Sequence, residues 1–281
     1  MLAQIKQIAS QLSTVYPADE AEGLAWWLAE EMTGLTRTEL QFGCKDTTIF
    51  ANMQKNIDRL LHFEPIQYIF GHTLWCGLDL KLSRATLIPR PETAELVEKV
   101  LNTKYNIQPD HALRVLDVGT GSGCIAIALK KRHPEWEIKG IDISEEAIEV
   151  AKENAKRNDV NVEFKVADIF DFTGEKCDSY DIVVSNPPYV CEREKMSMSP
   201  NVLEYEPSSA LFVPDEDPLR FYRRIASLHL GKYLFFEINE AYGPEMQLLL
   251  GKESYEDIRL MKDIYDKCRF VSACERQVNF G

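Results

Sequence analysis

The sequence lacks the features that mark several large classes of protein. No apolar run approaches the roughly 20 residues that a membrane-spanning helix needs, so we expect no membrane span. The seven cysteines stand singly, without the close pairs typical of zinc sites, and the five histidines form no cluster that suggests metal ligands. We therefore expect no bound metal, and the odd, unpatterned cysteine count favours reduced thiols in a cytosol.

Basic residues are also in short supply. The chain carries 32 lysines and arginines against 45 aspartates and glutamates, which gives a net charge of −13. A protein whose main partner is nucleic acid usually presents a basic face, so this balance favours a protein or small-molecule substrate and no direct nucleic-acid partner. The first residues, Met1 to Lys6, lack the basic and apolar regions of a signal peptide, and we expect a cytoplasmic protein.

The stretch from Asp181 to Val190 organises the rest of the chain. Residues 182–184 are β-branched and apolar, which is typical of a buried strand in a parallel sheet. Pro187 and Pro188 then end the strand, because neither can donate to a sheet ladder. Asn186 is thereby predicted at the carboxyl end of a strand, where open α/β sheets bind their ligands.

The segment Asn186 to Tyr189, which we call the proline corner, suits the binding of a planar amino group. Asn186 offers a side-chain carbonyl, and Pro187 and Pro188 have no N–H, so backbone carbonyls there can point outward. Two such acceptors beside the flat ring of Tyr189 would hold both hydrogens of a neutral –NH2 group. The N-P-P-Y run resembles the tetrapeptide of methyltransferases that alkylate amide or exocyclic amino nitrogens. The alternative is a strand-ending turn that merely contains two prolines.

Residues 1–66 show the periodicity of helices. Apolar residues recur every three or four positions from Ile5 to Val15, and further helices are predicted after Pro17, after Thr36 and over Ile49 to Leu61. Since no strand is predicted between them, we expect a small helical bundle that serves as a packing or substrate-docking domain.

Residues 67–88 are predicted to form a linker with a β-hairpin. In this interpretation Tyr68 to Phe70 pairs with Leu74 to Leu82 around a turn at Gly71. The remaining residues, 89–281, form the second domain.

Arg90 lies between two prolines at the start of that domain. In one interpretation, the two prolines keep this segment stiff and extended, so that the charged Arg90 side chain can reach across a neighbouring site. Equally, Pro91 can begin a helix, where its missing N–H costs nothing. Both interpretations stay open.

Strands and helices alternate from Leu113 onward, as in a doubly wound sheet. A strand over 114–118 leads into glycines at 119, 121 and 123, followed by a helix from Cys124. The glycines let the backbone pass close to a ligand, and we expect free N–H groups at the helix start. This spacing differs from the G-x-G-x-x-G of dinucleotide sites and resembles motif I of S-adenosylmethionine-dependent methyltransferases, with Asp117 in the acidic position.

Two further strand ends carry acids. Asp142 follows the second strand, where a carboxylate can accept both ribose hydroxyls and would repel a phosphate. Asp168 follows the third and is predicted to accept from an adenine amino group, with Ile169 or Phe170 packed on the purine. The predicted cofactor-binding residues are Gly119, Thr120, Gly121, Ser122, Gly123, Asp142, Asp168, Ile169 and Asn186.

Taken in order, these motifs resemble the HemK/PrmC family of release-factor glutamine-N5 methyltransferases. The matching stretches are Glu64 to Gly71, Leu87 to Thr93, Asp117 to Gly123, Asn186 to Tyr189, Glu206-Pro207, Ala210-Leu211, Glu237-Ile238 and Lys262-Asp263. The resemblance implies an α/β fold, with a Rossmann-like seven-stranded S-adenosylmethionine-dependent methyltransferase domain preceded by a small helical domain. It also implies methyl transfer to the glutamine of the Gly-Gly-Gln motif of peptide chain release factors, leaving S-adenosylhomocysteine.

The resemblance assigns roles to the proline corner. Catalysis is expected from Asn186, Pro187 and Tyr189, and substrate binding from these three with Pro188 and Arg90. We also expect a monomer.

Some residues depart from the family pattern, and other functions stay open. Pro214, Pro218 and Asn239 stand where the family usually has glycine, and Ile169 stands where some relatives carry an aromatic residue. One alternative is an adenine amino methyltransferase acting on DNA or RNA, whose target meets the same acceptors; the acidic balance and the lack of a target-reading domain count against it. Another is an inactive docking module that keeps only the fold.

Overall fold

The chain forms two compact units in a computed structural model that describes residues 2–42, 53–105, 112–172 and 180–276. One unit comprises Met1–Gly71 together with Ser199–Tyr205, and the other comprises His72–Met198 and Glu206–Gly281. The helical unit therefore reaches Gly71 rather than ending at residue 66, and the predicted linker is divided between the two units.

The helical unit is a bundle of short helices around one apolar core. Its helices are α1 (Leu2–Leu12), α2 (Ala18–Thr33), α3 (Arg37–Phe42), α4 (Gln54–Leu61), α5 (Ile66–Phe70) and α9 (Pro200–Tyr205). Of the predicted stripe from Ile5 to Val15, Ile5, Ile8 and Leu12 are buried and pack in one cluster with Leu28 and Leu60, whereas Val15 is exposed. The predicted start of a helix at Ile49 lies outside the described residues.

The predicted hairpin around Gly71 was wrong. Residues Ile66–Phe70 form helix α5, which ends at Gly71 in the left-handed conformation with φ 74°. The hairpin comes next, with β1 (His72–Trp75) antiparallel to β2 (Leu78–Lys81). Cys76 and Gly77 join the strands, and both have positive φ, as the tight turns of two-residue hairpins require.

The second unit is built on one twisted sheet with helices on both faces. Its further elements are α6 (Pro91–Leu101), β3 (Arg114–Val118), α7 (Cys124–Arg132), β4 (Glu137–Asp142), α8 (Glu145–Arg157), β5 (Glu163–Val166), β6 (Tyr180–Ser185), β7 (Val190–Cys191), β8 (Phe212–Val213), α10 (Arg220–Ser227), β9 (Gly231–Glu237), α11 (Gly243–Lys252), β10 (Tyr255–Lys262) and β11 (Cys268–Glu275). Seven strands pair in the order β10-β11-β9-β6-β3-β4-β5. The sheet is parallel from β9 to β5, and β11 and β10 add two antiparallel strands at one edge.

The strand order reverses at β3, which pairs with β4 on one side and β6 on the other. One face of the sheet is covered by α6, α7 and α8, and the other by α10 and α11. Open α/β sheets bind ligands beyond the carboxyl ends of their strands at such a reversal, so the fold positions a site beyond β3 and β6. Within the described ranges, no helix combines the length and apolar character that crossing a membrane requires.

Gly140 lies inside β4, where a side chain has no room. A Cβ there would lie 2.7 Å from the Phe164 ring and 2.7 Å from Thr120 Oγ1. Overpacking of this kind costs about 1–3 kcal/mol, so Gly140→Ala is expected to lower Tm by several degrees, at about 2–4 °C per kcal/mol. Calorimetric melting tests this. In the control Gly251→Ala the Cβ meets nothing nearer than Ile258 Cδ1 at 3.8 Å. Equal midpoints for the two variants would contradict the prediction.

Candidate active site

A cavity of about 410 Å³ opens at the carboxyl ends of the parallel strands. This is a size that small-molecule sites commonly have, about 300–1,000 Å³. Its wall brings together residues that the sequence separates widely: Leu87, Pro89, Thr93, Gly119, Thr120, Gly121, Ser122, Asp142, Ile143, Asp168, Ile169, Phe170, Asn186, Pro187, Pro188, Phe212, Arg220 and Phe221. All of the predicted cofactor-binding residues except Gly123 line this wall.

The glycine loop is braced against β4. The N–H groups of Gly119 and Thr120 both donate to the Ile141 carbonyl at 2.9 Å, and the N–H of Gly121 donates to Asp142 at 2.8 Å. The expectation of free N–H groups at the helix start was wrong for Gly123, whose N–H donates to the Thr120 carbonyl. With these donors used internally, the loop is poorly suited to cradle a phosphate.

Asp117 connects the loop to helix α7. Its Oδ2 accepts from Thr120 Oγ1 at 2.6 Å and from the Ala126 N–H at 3.3 Å. Burial raises the pKa of this carboxyl to about 7. The two hydrogen-bond donors favour its charged form and oppose this rise. Because the folded pKa lies above the ordinary value, the carboxyl stabilises the fold at low pH and this contribution is lost as pH rises through about 7.

Asp142 presents a carboxylate to the cavity. Oδ2 accepts from the Gly121 N–H, and Oδ1 accepts from the Ser144 N–H at 3.0 Å. Burial raises its pKa, and these backbone donors oppose the rise. A carboxylate offers about four acceptor positions, so acceptor capacity remains for ligand hydroxyls. Ser144 also caps α8 through the Ala147 N–H, as its position predicts.

The far end of the cavity is aromatic. Asp168 accepts from the Phe170 N–H at 2.8 Å, and the Phe170 ring lies 5.2 Å from the ring of Phe221. The Arg220 guanidinium stacks on Phe170 at 4.5 Å. Arg220 and Phe221 were not predicted, because nothing in the pattern of α10 shows which of its residues meet Phe170.

The proline corner closes the cavity above β6. Asn186, Pro187 and Pro188 line it, and Ser185 Oγ ties β6 to β3 by donating to the Val118 carbonyl at 2.6 Å. The Asn186 Nδ2 donates to Thr93 Oγ1 at 3.1 Å. This bond turns the amide nitrogen toward Thr93, and no described residue donates to the Asn186 oxygen, which is therefore an acceptor for a ligand.

A buried carboxyl lies behind the corner. Glu237 Oε2 accepts from Thr93 Oγ1 at 2.8 Å, and Oε1 accepts from the Tyr189 hydroxyl at 3.1 Å. Burial raises the pKa of Glu237 to about 7. Tyr189, predicted beside the substrate, is therefore fixed by its hydroxyl and is absent from the described cavity wall. The roles of Thr93 and Glu237 in this network were not predicted from the sequence.

Arg90 pairs with Glu206. Its Nη2 lies 2.5 Å from Glu206 Oε1, and the other carboxylate oxygen accepts from the Ile88 N–H at 3.2 Å. Pro91 begins helix α6, as one of the two interpretations predicted. Arg90, predicted to bind substrate, is not among the residues described as lining the cavity.

Removal of Arg90 should destabilise the second unit. Its side chain is 32% exposed and that of Glu206 is 1% exposed, so the variant Arg90→Met leaves a buried carboxylate without its charge partner. Breaking a buried pair costs about 3–5 kcal/mol, which we reduce to about 1–3 kcal/mol for the exposure of the guanidinium. Urea unfolding measures the change. The control Arg223→Met removes an exposed partner of Asp217 and should cost under about 1 kcal/mol. A loss for Arg90→Met no larger than this would contradict the prediction.

Known families match both parts of the chain. A family model described as a methyltransferase domain matches residues 109–278, and one described as a PrmC N-terminal domain matches residues 4–71. A protein of Bacteroides thetaiotaomicron named release factor glutamine methyltransferase is 46% identical over 275 residues, covering 95% of this chain and 97% of the relative. Proteins of the same name from Flavobacterium psychrophilum and Haemophilus influenzae are 38% and 34% identical, covering 97% and 95% of their own lengths.

Solved structures support the fold. The hMettl16 catalytic domain in complex with a MAT2A 3′UTR hairpin superposes with a TM-score of 0.54 at 16% identity, over 72% of this chain and 77% of that one. At this identity the likeness concerns the fold alone. It agrees with the predicted seven-stranded methyltransferase architecture.

Proposed function

The chain belongs to the release factor glutamine methyltransferases, and from this premise we propose that it methylates the side-chain amide nitrogen of the glutamine in the Gly-Gly-Gln motif of peptide chain release factors, tuning translation termination. The methyl donor in this proposal is S-adenosylmethionine. The observation that carries the proposal is the anchored Asn186 amide, whose oxygen is left for a ligand at a corner lined by two prolines.

The residues present fit that donor. Asp142 would accept the ribose hydroxyls with its remaining acceptor capacity, and a carboxylate there disfavours a phosphorylated ribose. Asp168 would accept from the adenine amino group, with Ile169 and Phe170 against the purine. When bound, the sulfonium supplies an activated methyl group.

The task of the protein is to position the substrate. An amide nitrogen is a weak nucleophile, because its lone pair is delocalised into the carbonyl, and it must be held about 3–3.5 Å from the methyl carbon and in line with it. Asn186 Oδ1 and the Pro187 carbonyl would accept the two amide hydrogens, whereas the predicted contact of Tyr189 with the substrate is not retained, because its hydroxyl is bonded to Glu237 behind the corner. No strong base is required, since an N-alkylated amide cation loses its proton readily.

The proposal also covers the oligomeric state and the cellular location of the enzyme. We propose that a monomer is active. The cytoplasm is the proposed location, because release factors act on ribosomes.

Mass spectrometry of a release factor tests the proposed function. The chain is incubated with S-adenosylmethionine and a purified release factor, and the tip peptide is then sequenced. We expect one added methyl group on the glutamine side chain, and none when that glutamine is replaced by glutamate. Parallel reactions with DNA and RNA should stay unmodified. Methylated adenine with an unmodified release factor would overturn the proposal.

A further inference from the structure

The hydrogen bonds among Glu237, Thr93 and Asn186 behind the proline corner fix the orientation of the Asn186 side-chain amide. We propose that Thr93 and Glu237 are positioning residues that hold the Asn186 oxygen toward the cavity and thereby make the corner select a carboxamide over a carboxylate. This inference rests on the proposed function and deepens it.

The network joins three elements that are distant in sequence. Thr93 lies in the first turn of α6, Glu237 ends β9, and Asn186 follows β6, which pairs with β9. The Thr93 and Glu237 side chains are 144 positions apart yet lie 2.8 Å from each other. Both residues are at most 2% exposed, so water cannot readily replace these bonds.

The direction of each hydrogen bond follows from the acceptor-only chemistry of a carboxylate. Ionised Glu237 can only accept, so the hydroxyls of Thr93 and Tyr189 must both donate to it. Thr93 has a single hydroxyl hydrogen, and its oxygen is then left to accept from Asn186. The –NH2 group of Asn186 is therefore fixed on the Thr93 side.

The opposite orientation of the amide would be costly. If Asn186 were flipped, its oxygen would face the buried Thr93 oxygen, and two acceptors would meet with no hydrogen between them. The flipped amide would also present N–H donors to the cavity. Such donors suit a glutamate carboxylate and cannot hold the hydrogens of a glutamine amide. The network thus decides which of these two side chains the corner accepts.

The protonation state of Glu237 controls this direction. The groups that face it are Tyr189 after β6, Tyr222 on α10, Arg269 on β11 and Glu92 on α6. Burial raises its pKa to about 7, and Arg269 opposes the rise. As pH falls through this range Glu237 gains a proton and can donate to Thr93, which frees the Asn186 amide to turn. The amide substrate itself does not titrate there, so kcat should fall below about pH 7.

The variants Thr93→Val and Thr93→Ser test the inference. Valine keeps the shape but removes the hydroxyl, and we expect kcat to fall about tenfold with an unchanged Kd for the cofactor. Serine keeps the hydroxyl and should restore kcat to within about threefold of the wild-type value. Thr103→Val, just beyond the end of the same helix, removes a hydroxyl that donates to the Lys99 carbonyl and is the matched control.

A binding measurement distinguishes an effect on the orientation of the Asn186 amide from a general loss of protein stability. With S-adenosylhomocysteine present, the wild-type chain should bind a release factor with a glutamine tip more tightly than one with a glutamate tip. Thr93→Val should reduce this preference about tenfold, whereas Thr93→Ser and Thr103→Val should keep it. A Thr93→Val variant with wild-type kcat and preference would overturn the inference.

Glu237→Gln provides a second test that does not depend on Thr93. The glutamine does not titrate, so the decline of kcat below about pH 7 should disappear, although Asp117 with its similarly raised pKa is still present. If Thr93→Val fails to fold, this pH profile decides, and an unchanged decline would overturn the inference. Failure of the proposed function looks different, because the wild-type chain itself would then leave the release factor unmodified.

Discussion

Replacing Asn186 by alanine is expected to lower kcat for methyl transfer about 100-fold, while the Kd for S-adenosylmethionine stays within about twofold of wild type. The side-chain oxygen is the acceptor assigned to the substrate amide, and its loss should cost about 1–3 kcal/mol. The effect falls at the upper end of this range, because the amide also loses its orientation toward the methyl group. Single-turnover rates and calorimetric cofactor binding measure the two quantities.

Asn102→Ala is the matched control for this variant. Asn102 is an exposed amide at the end of α6 and donates to its own helix at the Glu98 carbonyl. It should leave both kcat and cofactor binding unchanged. If Asn186→Ala turned over at a wild-type rate with intact cofactor binding, the role assigned to the corner would be wrong.

The second large effect is expected at Asp142. The change Asp142→Asn replaces one carboxylate oxygen by an –NH2 group, which faces the N–H donors of the loop and cannot accept a ribose hydroxyl. A hydrogen bond to a charged group contributes about 1.5–3 kcal/mol. The Kd for S-adenosylmethionine should therefore rise about 100-fold, with kcat at saturating cofactor much less affected. Isothermal calorimetry gives the Kd directly.

A surface aspartate supplies the comparison for Asp142→Asn. Asp159 is exposed and has φ 54°, a conformation that asparagine adopts readily, so Asp159→Asn should bind the cofactor as the wild type does. A Kd for Asp142→Asn within threefold of this control would remove Asp142 from the cofactor site.

Much of the site could be predicted, because its residues follow directly from strand ends. The apolar run before Asn186, the glycines after β3 and the acid ending β4 each mark the carboxyl end of a strand in a parallel sheet. Such ends meet at one edge, and the structure confirms that Gly119, Asp142, Asp168 and Asn186 line one cavity. The roles of these residues stay predictions.

Other features depend on packing that no local pattern encodes. The run from Tyr68 to Phe70 is too short for its hydrophobic periodicity to distinguish a helix from a strand. It forms part of helix α5 and not the predicted strand. The Thr93–Glu237 bond depends on β9 lying next to β6, an order that the sequence does not state. Arg90 was ambiguous for a related reason, since its partner Glu206 lies far along the chain.

The most direct test of the central claim is a crystal structure of the chain with S-adenosylhomocysteine and a release factor carrying the glutamine tip. We predict that the glutamine nitrogen lies about 2.7–3.2 Å from Asn186 Oδ1 and points toward the sulfur. A glutamine bound elsewhere, or an Asn186 amide whose nitrogen faces the substrate, would contradict the account.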